Sequence, residues 1–186
     1  MNKGRLGVSI LLGALTVFYP LIVYVSISTL PMGALIGVLA VALLGRLVLG
    51  AGKGAAWQIA AGVGLVFCLL VWLSDSETGL LYYPVVMNGA MLLVFAASLI
   101  KPPSVIEQLA RLSEPDLPAE GVAYTRKVTG VWCGFFGVNG LIALSTAISG
   151  DMAVWALYNG ALAYVFMGMV FAIEWLVRRK IRARES

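Results

Sequence analysis

The chain has no histidine, only two cysteines and few charges: 12% of its residues are Asp, Glu, Lys or Arg. Each scarcity excludes something. Without histidine, the commonest general base and the commonest metal ligand are missing before any site is sought. Cys68 and Cys133 each lie inside an apolar run, without CxxC or Cys/His spacing, so they read as small buried hydrophobes, and no metal site is expected. No P-loop, G-x-S-x-G or H-E-x-x-H pattern occurs. A soluble domain carries about a quarter charged residues. This chain carries half that and is 61% hydrophobic, with a mean hydropathy of +0.95, which demands a bilayer reading.

About 20 apolar helical residues cross a hydrocarbon core. Hydropathy and punctuation give an all-α membrane protein of six transmembrane helices, at about 6–27, 32–49, 55–73, 80–100, 128–148 and 154–177. The whole chain is one polytopic domain. The first segment follows Lys3 and Arg5 as a signal peptide would, but its apolar core is too long for one and no A-x-A site follows; it reads as an uncleaved helix.

Charge placement fixes the orientation. With both termini cytoplasmic, the inner segments 1–5, 46–54, 101–127 and 178–186 hold all 13 basic residues, Arg46, Lys53, Lys101, Arg126 and Lys127 among them. The outer loops hold only Asp75, Glu77 and Asp151. The positive-inside rule is met throughout. The net charge of +4 is thereby explained by orientation, and nucleic acid is not an expected partner. Trp72 and Trp155 fall at outer ends, and Trp57, Trp132 and Trp175 at inner ends, where indoles favour the headgroup level.

The one sizeable soluble piece is the inner connection 101–127. Ser104 and Glu107 have capping-box spacing, and Val105, Ile106, Leu109 and Leu112 then share one face of a short helix ended by Pro115 and Pro118. This predicts an amphipathic interfacial helix between spans 4 and 5. Its apolar face either floats in headgroups or docks a soluble partner on the cytoplasmic side.

Three Asn-Gly pairs interrupt the apolar spans: Asn88-Gly89, Asn139-Gly140 and Asn159-Gly160. "NGAMLLVFA" at 88–96 aligns with "NGALAYVFM" at 159–167, a short candidate repeat. An unpaired amide in hydrocarbon costs several kcal/mol, about as much as a lost hydrogen bond and more, so these side chains must face protein or a polar cavity. Two readings stay open. In one the amides join helices, with the adjacent glycine admitting a close backbone. In the other, Asn88, Asn139 and Asn159 line an outward-opening pocket with Tyr82, Tyr83 and Tyr158, suited to a lipid headgroup or sugar. Pro84, within the first turns of its helix, fits either.

Glu174 is the only acid within a span, and Arg178 at i+4 offers an ion pair that would snorkel. No second buried carboxylate accompanies it for paired acid–base work. GxxxG spacings at Gly33/Gly37, Gly50/Gly54 and Gly130/Gly134 are no more frequent than this much glycine gives by chance.

The stretch "KPPSVIEQLARLSEPDLPAEGVAYTRKVTGVWCGFFGVNGLIAL", then "WALYNGALAYVFMGMVFAIEWLVRR", resembles a family of bacterial inner-membrane proteins encoded in aryl polyene biosynthesis gene clusters. The layout of a K-P element after a span, a short basic segment and a W-x-x-F-F helix is distantly similar to the intracellular septation protein A family. The resemblance covers about half the chain and is most specific at "EPDLPAEGVAYTR". It implies a bacterial inner-membrane protein tied to envelope lipid or pigment assembly, beside acyl carrier proteins and biosynthetic enzymes. It supplies no catalytic residue and no cofactor.

The expectation is therefore a non-enzymatic accessory or scaffold protein for envelope lipid or aryl polyene biosynthesis, with membrane lipid as a partner. A small transporter or flippase for a lipid intermediate is the competing class. An intramembrane transferase, a third class, would need Glu174, Asp116 or Glu120 as its base. The apolar surface permits either a monomer or a dimer.

Overall fold

The computed structural model describes residues 15, 19–26, 30–49, 55–74 and 77–185, all helical or in short connections, with no strand among them. In chain order the helices are α1 (Tyr19–Ser26), α2 (Met32–Leu49), α3 (Ala55–Ser74), α4 (Tyr83–Ile100), α5 (Val105–Arg111), α6 (Ala119–Ser149), α7 (Met152–Leu157) and α8 (Ala163–Glu185). A 3-10 segment, Glu77–Tyr82, leads into α4, and a π turn, Tyr158–Leu162, joins α7 to α8 as one continuous helix.

Three stretches are long and apolar enough to cross a membrane: Thr78–Ile100, Ala119–Ser149 and Met152–Lys180. Gly33–Val48 and Gln58–Ser74 are shorter apolar helices. This is a helical membrane protein by length and composition. Most of the expected first span lies outside the described residues. The expected fifth span, 128–148, is exceeded: α6 begins at Ala119, because Pro118 in extended conformation starts the helix and nothing from Ala119 to Lys127 breaks it. Polarity marks where a helix leaves lipid, not where it ends.

α4 and α6 form the most extensive helix pair. Seven of the nine buried residues of α6, Thr125, Thr129, Trp132, Phe136, Asn139, Ala143 and Thr146, alternate steps of three and four, the spacing that keeps one stripe against an antiparallel neighbour; Val128 and Ala147 widen it. α6 ends at Gly150, whose φ of 70° is left-handed, and Asp151 at once caps α7 by accepting from the Ala153 and Val154 amides at 2.9 and 3.0 Å. Two residues thus reverse the chain.

Two apolar clusters form the core. One gathers Tyr19, Leu35, Leu39, Cys68, Leu80, Tyr83 and Trp155, and the other Met91, Phe95, Val105, Val128, Trp132 and Phe136. Met87 packs against both. Trp155 corrects the expected headgroup belt: it is fully buried, and its indole N–H donates to the Leu81 carbonyl at 2.9 Å, tying α7 to the 3-10 segment. Trp132 is buried too, among Phe135, Phe136 and Phe171, while Trp72 and Trp175 are exposed. The outward faces carry large apolar residues such as Val48, Leu93, Leu141 and Ile148, as lipid-facing surfaces do. Cys68 is buried and Cys133 half-buried, and both are free thiols.

Candidate functional site: a polar chain beside a cavity among the helices

The first asparagine sits one turn into α4, whose start is set by Pro84 in the first helical turn. Asn88 Nδ2 donates to the Pro84 carbonyl at 2.8 Å, and Asn88 Oδ1 accepts from Asn139 Nδ2 of α6 at 3.0 Å. Asn139 Oδ1 in turn accepts from the Tyr158 hydroxyl at 2.8 Å. One hydrogen-bonded chain therefore runs from the π turn through α6 to α4, and each donor in it finds an acceptor of low exposure.

Asn159 belongs to a second arm. Its Nδ2 donates to Thr146 Oγ1 of α6 at 3.0 Å and to the Trp155 carbonyl at 2.9 Å, and Thr146 Oγ1 donates to Ala143 O at 2.8 Å. Asn88 and Asn159 share a local habit, each bonding the carbonyl four residues back, and each also engages the same stripe of α6. They differ in backbone. Asn88 lies in regular α-helix, whereas Tyr158, Asn159 and Gly160 are consecutive and all buried, which the π turn permits.

Of the glycines beside these amides, Gly140 allows a close approach: a Cβ there would lie 3.2 Å from Asn88 Cβ. A Cβ at Gly89 would meet nothing within 4 Å, so that glycine is not needed for packing. The same holds for Gly33, Gly37, Gly130 and Gly134 of the GxxxG spacings.

The three asparagines line one cavity of about 200 Å³, together with Tyr83, Pro84, Met87, Met91, Phe136, Tyr164, Met167 and Arg46. Tyr158 is buried and reaches the group through Asn139. Tyr82 is 36% exposed and takes no part in the cavity. Two members escaped the sequence reading. Tyr164 follows Asn159 by five residues, a spacing on no common face of a regular helix, and the π turn brings both to the cavity. Arg46, expected at the inner end of the second span, lies in the last turn of α2 and also lines the cavity. The reason is axial offset. A Cβ at Gly64 of α3 would lie 2.8 Å from Leu43 Cδ1 and 3.5 Å from Met87 Sδ, so the second half of α2 stands level with the first turns of α4.

A second cavity of about 600 Å³ opens between α5, the 112–118 connection, α6 and α8. Ser104 caps α5 by accepting from the Glu107 amide at 3.3 Å, as the capping box requires. The reciprocal half is not made: the Glu107 carboxylate is buried and takes Arg111 instead, at 2.9–3.0 Å. The expected apolar face is divided. Val105 joins the core, its amide donating to Ser98 Oγ at 3.1 Å, and Ile106 packs beside it, while Leu109 and Leu112 stay exposed. Glu174 lines this cavity, with the Tyr124 hydroxyl donating to its Oε1 at 3.3 Å. The expected ion pair with Arg178 is not made, although Arg178 lines the same space. Glu120 is a further lining residue and Asp116 is not.

No protein-family model, curated protein or solved structure matches the chain. The functional reading rests on this geometry.

Proposed function

We propose that this chain is a non-enzymatic accessory protein of the bacterial inner membrane that holds the polar end of a lipid-like molecule, in the service of envelope lipid or aryl polyene assembly. In this reading it crosses the membrane six times with both termini cytoplasmic, as the placement of basic residues supports. The observation that carries it is the chain Tyr158–Asn139–Asn88 along a cavity within the bundle. Helix adhesion alone is served by two facing amides. Here three asparagines and two tyrosines from α4, the π turn, α6 and α8 surround one space.

Native mass spectrometry of the protein released gently from its own membranes tests this. A discrete adduct of lipid mass is expected, reduced in Asn88→Ala under conditions where that variant remains folded. A bare chain from membranes that retain the protein's thermal stability would overturn the reading and leave the asparagines as helix contacts.

The transporter or flippase reading is favoured by one observation, the π turn at Tyr158–Leu162 beside the cavity, since such turns give a long helix a place to bend. Docking of acyl carrier protein or synthases on 101–127 keeps a smaller surface than the sequence suggests, with Leu109 and Leu112 exposed and Val105 withdrawn.

A further inference from the structure

We infer that the central cavity takes an uncharged amphiphile whose polar end is a hydroxyl, donating to Asn159 Oδ1 and accepting from the Tyr83 hydroxyl. The inference rests on the reading that the cavity holds a ligand, and adds its chemical class. Both residues line the space and are buried, at 3% and 5% exposed. Asn159 Nδ2 donates to the Trp155 carbonyl and to Thr146 Oγ1, which uses both of its N–H groups. A carbonyl only accepts, and Thr146 Oγ1 already donates to Ala143 O. The nitrogen of this amide is thereby fixed in place, and the oxygen is the group that remains.

Among the described residues no group donates to that oxygen, and none shares a hydrogen bond with the Tyr83 hydroxyl; the Tyr83 ring is engaged, against Tyr19 and Phe67. Polar atoms left unmet on buried side chains are costly and therefore uncommon. Among the described residues the Tyr19 hydroxyl is the one unmet polar atom that is sealed on every side. Asn159 Oδ1 and the Tyr83 hydroxyl are unmet without being sealed, so they open onto the cavity that their residues line. Arg46 and Tyr164, on the same wall, already have interaction partners within the protein and are no part of this pair.

An unmet amide oxygen calls for a donor. An ionised carboxylate or phosphate diester only accepts, and would meet Asn159 oxygen to oxygen. An ammonium donates, but among the described lining residues no carboxylate meets its charge. A hydroxyl donates and accepts at a single atom, which suits Asn159 and Tyr83 together. Much of the remaining lining is apolar, with Met87, Met91, Met167 and Phe136, and thioethers on flexible stems accommodate hydrocarbon of varied shape. At about 200 Å³ the cavity is smaller than a site for a whole drug-sized ligand, and so suits a polar end with the first methylenes of a chain. A long-chain alcohol and a diacylglycerol both supply that chemistry.

The full chain in a neutral detergent is titrated under native mass spectrometry with oleyl alcohol, dioleoylglycerol, oleyl methyl ether, oleate and oleylamine. A 1:1 adduct with the alcohol or the diacylglycerol is expected, about tenfold or more tighter than with the methyl ether, which accepts but cannot donate. Preference between the first two tells a single-chain alcohol from a diacylglycerol. Tyr83→Phe should weaken the preferred adduct several-fold while leaving thermal unfolding unchanged, because the hydroxyl it removes holds no described residue; a merely structural tyrosine would move stability and not affinity. If that variant does not fold, the probe comparison on the unaltered chain decides. Equal binding of oleyl alcohol and its methyl ether overturns the hydroxyl, as does tighter binding of oleate or oleylamine, while leaving an amphiphile site intact. Failure of all five probes to give a 1:1 adduct overturns both.

Discussion

The side-chain amide of Asn139 donates to Oδ1 of Asn88 at 3.0 Å, joining α6 to α4 at the point where a Cβ on Gly140 would lie 3.2 Å from Asn88 Cβ. Amide contact and backbone approach thus occur at one level. Removing either partner leaves the other with a donor or acceptor to satisfy. Asn139→Ala and Asn88→Ala should each lower stability by about 0.5–2 kcal/mol, the range for buried polar contacts between helices in membranes. Thermal unfolding in detergent measures it, and the double variant should cost clearly less than the sum.

Gly140 and Gly89 should respond in opposite directions to the same substitution. Gly140→Ala forces Asn88 aside and lowers the unfolding temperature. Gly89→Ala meets nothing within 4 Å and should leave stability unchanged or raise it by up to about 1 kcal/mol through helix propensity. Equal responses would remove the close approach as an explanation.

The reversal at Gly150-Asp151 offers a further test remote from the cavity. Gly150→Ala places a Cβ at φ 70° and Asp151→Ala removes the cap of α7, each costing about 1 kcal/mol. Asp151→Asn should restore most of the loss, since its side-chain oxygen still accepts. Chemical unfolding of the three variants checks the order.

On α5, Leu112→Ser should leave stability unchanged, because that side chain is 75% exposed, whereas Val105→Ser should lower it by about 2 kcal/mol by opening the core beside Phe95 and Trp132. If acyl carrier protein docks here, Leu112→Ser weakens its capture on the membrane without altering unfolding.

Much of this was legible in the residues. The apolar segments mark α2, α3, α4 and the long helices after residue 118; Ser104 marks the start of α5; and the three Asn-Gly pairs mark the polar chain, through Asn88 and Asn139, and its separate second arm, through Asn159. Local rules reach that far because caps and periodicity act within a turn or two. Arg46 was not read as a cavity residue because its neighbours depend on how far α2 slides along α3 and α4, which no stretch of α2 encodes by itself. Trp155 was misread for the same reason: an indole near a helix end suits the headgroup level or the Leu81 carbonyl equally, and tertiary packing decides. Glu107 could answer either the start of its helix or Arg111, and burial beside the guanidinium selected the ion pair. The π turn has no sequence signature here beyond Asn159-Gly160.

That turn has a consequence for the phase of the whole helix from Met152 to Glu185. In an α-helix each residue advances by about 100°, so a π turn, which accommodates one residue more per turn, rotates everything beyond it by roughly that angle relative to an unbroken helix. The side chains facing α6 before the turn and those facing it afterwards therefore follow two different registers. Deleting one residue from 158–162 would force a choice between the Tyr158–Asn139 and Asn159–Thr146 bonds. It would also swing Glu174, about 20 Å farther along at 1.5 Å per residue, away from Tyr124. The cavity within the bundle and the cavity at its far end are geared to one another by a single inserted residue.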